Sequence, residues 1–92
     1  MSSKVRQKNV RRNVAIFREV LDGATLAATG RKFGVTGPAV RQLMGRMVHA
    51  IREELFEEDE PGPHSRGVRE LREHREQWIE LLDRWVERYD PQ

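Results

Sequence analysis

Apolar positions recur at helical spacing from Val10 onward. Val10, Val14, Phe17 and Leu21 are separated by four, three and four residues, and Ile16 and Val20 widen the stripe. That is the pattern of a helix with one face on a core. Asp22-Gly23 predicts its end, because glycine readily takes the left-handed conformation that closes a helix. A short second helix follows, capped by Thr25, with Leu26, Thr29, Gly30 and Phe33 on one face. Gly34 breaks it, Val35 plugs the turn, and Thr36 caps a third helix. Gly37-Pro38 falls in the first turn of that helix, where a missing proline N–H costs nothing. The third helix is predicted from about Gly37 to Phe56. Val40, Leu43, Met44, Met47, Ile51 and Leu55 face inward, and Arg41, Gln42, Gly45, Arg46, His49 and Arg52 face outward. Acidic residues crowd its end, against the helix dipole, so fraying is expected near Glu57–Glu60 before Pro61-Gly62-Pro63 stops it. Ser65 then caps a fourth helix predicted to run to about Tyr89. Val68, Leu71, Trp78, Leu82, Trp85 and Tyr89 alternate by threes and fours, interrupted by Arg75, and Ile79 and Val86 broaden the stripe.

Charge changes this picture by dividing the chain. Residues 1–52 carry 11 Lys and Arg against Glu19 and Asp22, a balance of +9, whereas residues 53–92 carry 6 Arg against 13 acids, a balance of −7. The basic half suits a polyanion, and the acidic half suits solvent or a protein partner. Lys4, Arg6, Lys8, Arg11 and Arg12 read as a basic arm leading into the first helix, either a solvated terminus or a groove-binding extension. With no cysteine among 92 residues, disulfides and thiolate metal sites are excluded. No apolar run is long enough for a bilayer or a signal peptide, so a soluble cytoplasmic protein, associated with the nucleoid, is expected.

The stretch from Thr25 to Arg46 carries the functional signal. Two helices that cross steeply through a short turn need a small residue where they approach and a permissive one in the turn, which Gly30 and Gly34 supply. Phe33, Val35, Val40 and Leu43 would lock the pair onto the first helix. Such a unit lays its second helix in the major groove of DNA. Thr25-Leu26-Ala27-Ala28-Thr29-Gly30-Arg31-Lys32-Phe33-Gly34-Val35-Thr36, continuing to Val40-Arg41-Gln42-Leu43, resembles the promoter-reading helix-turn-helix of bacterial sigma factors, region 4, over roughly residues 13–52. The resemblance implies that Arg41 and Gln42 read bases and that Thr25, Arg31 and Arg46 contact phosphates. Arg41 is suited to guanine O6 and N7, and Gln42 to adenine N6 and N7. Lys32, Thr36, Arg11 and Arg12 complete the expected phosphate contacts. The chain departs from the family at Gly37-Pro38-Ala39, which offer no donors where sigma factors usually carry charge, and at Thr29, where the family prefers an aliphatic. The segments that bind core polymerase and melt DNA have no counterpart in this sequence.

The expected organisation is a basic arm at 1–12, a helix-turn-helix domain at 13–56, an acidic Pro/Gly linker at 57–65 and an amphipathic C-terminal helix at 66–90. The fold class is all-α, a three-helix helix-turn-helix core plus a long C-terminal helix. That last helix must bury two tryptophans. It either folds back across the first and third helices or pairs in a homodimer through Leu71, Trp78, Leu82, Trp85 and Tyr89, and the homodimer is the arrangement expected. A helix-turn-helix followed by such a segment also resembles small plasmid repressors of the KorA/TrfB type, through Leu71-Arg72-Glu73-His74 and Arg84-Trp85.

The function expected is a sequence-specific, double-stranded-DNA-binding transcription regulator of bacterial, phage or plasmid type. The alternative is a mimic of sigma region 4, or an interaction module, docking on RNA polymerase or another transcription factor. A third reading is a nucleoid-coating or RNA-binding protein without sequence preference. His49, His64 and His74 lack paired-ligand spacing, and no nucleophile–base arrangement or phosphate loop is present, so neither a metal, a cofactor nor an enzyme is expected.

Overall fold

The computed structural model describes residues 3–56 and 67–89, with side chains for 10–56 and 67–88, and all five of its regular elements are helices. Helix α1 spans Ser3–Leu21, α2 Leu26–Phe33, α3 Gly37–Leu55, α4 Val68–Glu73 and α5 Arg75–Tyr89. No strand occurs among the described residues. The linker at 57–65 and the cap expected at Ser65 lie outside them.

The first helix corrects the expectation of an arm, since residues 3–12 form its first half. This stretch holds no glycine or proline and is rich in Lys, Arg and Gln, all good helix formers. Its charge therefore does not stop the helix. At the other end Gly23, at φ 110°, terminates α1 as expected, with its N–H donating to Val20 O at 3.0 Å.

Helix α2 is built by its ends more than by its apolar residues. Thr25 caps it, the hydroxyl accepting from Ala28 N–H at 3.0 Å. Gly34 closes it at φ 76°, and the N–H groups of Gly34 and Val35 both donate to Gly30 O. Leu26 and Phe33 are only half-buried; the fully buried positions are Thr29 and Gly30. A Cβ on Gly30 would stand 2.4 Å from Val35 O and 3.1 Å from Thr36 C, so the close approach anticipated at Gly30 is a contact with the turn's backbone. Thr36 then caps α3, accepting from Ala39 N–H at 3.1 Å, with Pro38 in the first turn.

One core joins α1, α3, α4 and α5, with Leu26 and Phe33 of α2 packed against it. Ile16, Phe17, Val20 and Leu21 of α1 meet Val40, Leu43, Met44, Met47, Val48 and Ile51 of α3, and Leu71, Trp78, Leu81, Leu82 and Trp85 close over them. Phe17 and Trp78 meet edge to face, with centroids 6.3 Å apart. The C-terminal segment thus folds back on α1 and α3. Leu71, Trp78, Leu82 and Trp85, expected at a homodimer seam, are at most 5% exposed within one chain, and that seam is corrected accordingly. The reason is energetic: burying two tryptophans and three leucines in the chain's own core needs no partner. The side chain of Tyr89 lies outside the described residues.

The fourth helix is also two helices rather than one. It breaks at His74, whose backbone adopts φ −114°, ψ 36°. The break lets Arg72 donate from Nε to Val20 O at 2.8 Å and from Nη2 to Ala24 O, satisfying carbonyls at the end of α1. Arg75 on the next turn pairs with Asp22. The residue that interrupted the apolar stripe marks where the helix bends.

Candidate functional site

Apart from the buried Thr29, the α2–turn–α3 unit sets its polar side chains on the side away from the core. With α3's inner stripe fixed by Val40, Leu43, Met44, Met47 and Ile51, helical geometry leaves Gln42, Gly45, Arg46 and His49 outward, and all four are exposed. Arg41 is also exposed, and it turns toward the start of α4, lining an open groove with Val68 and Arg69. Arg31 is exposed on α2. Thr25 and Thr36 are exposed as well, each using a lone pair to cap its helix. Their O–H groups remain able to donate outward.

Ion pairing separates the basic residues into two groups. Arg18 pairs with Asp83, Lys32 with Glu19, Arg75 with Asp22 and Arg88 with Glu54, each bridge tying together parts of the chain far apart in sequence. Arg31, Arg41, Gln42 and Arg46 have no side-chain hydrogen bond or ion pair among the described residues. The outcome is a strip of α2 and α3 rich in donors and nearly free of acid. It is bounded at its far end by Glu53, which pairs with His49 at 3.1 Å. Guanidinium and carboxamide groups there can serve planar, bidentate acceptors, and the hydroxyls and Arg31 can serve anionic oxygens.

The expected site residues are therefore not all brought together. Arg41, Gln42 and Arg46 share α3, with Arg31, Thr25 and Thr36 beside them on α2 and the turn. Lys32 is held by Glu19 and lies over the Phe33 ring at 5.8 Å, which makes it a strut between α2 and α1. Arg11 and Arg12 are exposed on α1, with Arg12 also donating to Asn13 Oδ1 at 3.3 Å. They sit about 13 Å or more along the helix from Leu21, where α1 meets the loop to α2.

Sequence reasoning missed the neighbours contributed by α4. Arg69, Arg72 and Glu73 line the same groove as Thr25 and Arg41. Nothing in periodicity announces this, since these residues lie in the acidic half of the chain and become neighbours only through the fold-back.

Among the described residues no cluster of three or more His, Asp or Glu is arranged to hold a metal ion, and no helix is long and apolar enough to cross a membrane. No protein-family model, curated protein or solved structure matches the chain.

Proposed function

We propose that the protein is a sequence-specific, double-stranded-DNA-binding transcription regulator in which α2, the turn and α3 act as a helix-turn-helix like that of sigma region 4. One observation carries this reading. Arg41, Gln42 and Arg46 stand exposed on a single helix without a side-chain partner among the described residues, while Arg18, Lys32, Arg75 and Arg88 are engaged in ion pairs between distant parts of the chain. In this reading α3 enters the major groove. Arg41 bridges guanine O6 and N7, and Gln42 bridges adenine N6 and N7. Arg31, Arg46 and the capping hydroxyls of Thr25 and Thr36 hold phosphates on either side. Gly37, Pro38 and Ala39 contribute no donor at the start of α3, so the sequence read differs from the usual promoter element.

The same three residues favour the second reading, a module that docks on RNA polymerase or another transcription factor. Pro38 is exposed at the tip of α3, where a DNA reader usually carries polar groups. Titration with naked duplex separates the two. A DNA reader binds duplex with an affinity that falls steeply with salt, whereas a docking module leaves duplex unbound and retains a purified polymerase. A homodimer on repeated half-sites would have to form through a surface other than the buried C-terminal stripe.

A further inference from the structure

The fold-back brings two arginines of the acidic half, Arg69 and Arg72, to the edge of the proposed DNA face. A groove of about 710 Å³ runs between α2–α3 and α4, with Thr25 and Arg41 on one wall and Val68, Arg69 and Glu73 on the other. A smaller recess of about 220 Å³, lined by Arg41, Gly45, Val48 and Val68, shares residues with it and keeps the start of α4 apart from α3. Within this groove the two α4 arginines differ sharply. Arg72 is committed to Val20 O and Ala24 O by Nε and Nη2. The side chain of Arg69 is 93% exposed and pairs with Glu73 one turn away at 3.6 Å. An exposed pair at that spacing holds weakly, because solvent screens it and both side chains lose freedom in making it.

We propose that Arg69 binds a backbone phosphate of duplex DNA beside the bases read by α3, so that α4 is a second phosphate-contacting element. This rests on the DNA-binding reading above. Arg69 exchanges Glu73 for the phosphate, a bidentate acceptor that the fork of the guanidinium matches. A phosphate entering the groove meets the Thr25 hydroxyl from the opposite wall. Glu73, 57% exposed on the same wall, repels that phosphate and competes for Arg69, and so holds the contact below its full strength. The contact follows the backbone and carries no base information.

The test uses the full chain, with fluorescence anisotropy on an enriched duplex and on a scrambled one, between about 50 and 200 mM salt. Arg69→Ala is expected to weaken binding to both duplexes by a similar factor, roughly threefold to tenfold. It should also flatten the slope of log affinity against log salt by about one, with the preference between duplexes unchanged. Glu73→Gln is expected to tighten binding to both. Arg69 makes no buried contact, so its removal should leave the thermal melt unchanged, which the same samples verify. Wild-type affinity and slope in both variants, with Arg41→Ala still losing its preference, would overturn the α4 contact and leave the DNA-binding reading standing. Failure of the wild-type chain to bind either duplex would overturn both.

Discussion

Gly30 has no room for a side chain. Its missing Cβ would meet Val35 O at 2.4 Å, and that atom belongs to backbone held by the Gly34 turn and the Thr36 cap. Gly30→Ala should therefore destabilise the protein by about 1–3 kcal/mol in a urea titration, the usual range for forcing atoms into a packed site. An unchanged midpoint would mean the turn can shift away from α2. Thr29, one residue earlier, is 1% exposed, and its hydroxyl has no hydrogen-bond partner among the described residues. Thr29→Val keeps the shape and removes the buried hydroxyl, so unfolding should move to higher temperature, by roughly 1 kcal/mol of added stability. A loss of stability instead would reveal a partner for that hydroxyl. Gly30, Gly34 and both threonine caps were legible in the sequence because each meets a demand made within a few residues of itself. Whether Lys32 pointed outward or to Glu19 was not, since Glu19 lies on another helix.

Among the helices, α4 has the least intrinsic reason to exist. It is six residues long and has no side-chain cap at Gly67, and a helix that short is unstable alone. It is held by Leu71 in the core and by Arg72 on the end of α1. Arg72→Ala removes the guanidinium from Val20 O, which keeps the Gly23 N–H, and from Ala24 O, and should cost about 1.5–3 kcal/mol, as expected for hydrogen bonds to a charged group. Arg75→Ala removes an exposed pair with Asp22 and should cost no more than about 1 kcal/mol. Chemical denaturation of the two variants side by side compares them. Equal losses would contradict the distinct role given to Arg72. The bend between α4 and α5 escaped the sequence because no glycine or proline marks it. His74 occupies the break, and the only trace was Arg75 in an otherwise apolar stripe. Helix α1 runs longer than its charge pattern predicts for the complementary reason: a basic run suggests an arm, but nothing in residues 3–12 breaks a helix.

At the scale of the molecule, the C-terminal half completes the core. Trp78→Ala should destabilise the protein by about 3–5 kcal/mol, the cost of deleting a large buried aromatic. The free protein is expected to elute as a 10.8 kDa monomer in light scattering, since the stripe read as a seam is buried. A dimer would point to another surface. The sequence left fold-back and dimer open because the same alternating stripe serves either, and only the three-dimensional meeting of Phe17 with Trp78 and of Arg72 with Val20 O separates them. That same fold-back pairs Asp83 of the C-terminal half with Arg18 on α1, while Arg41 and Arg46 on α3 have no ion pair among the described residues. The most direct measurement is selection of bound sequences from a random duplex library at physiological salt, repeated with Arg41→Ala. A base-reading α3 predicts one enriched sequence for the wild-type chain, and a loss of about 1–3 kcal/mol on that sequence for Arg41→Ala with little change on random DNA. No enrichment by folded wild-type protein, or an equal loss on both DNAs, would contradict it.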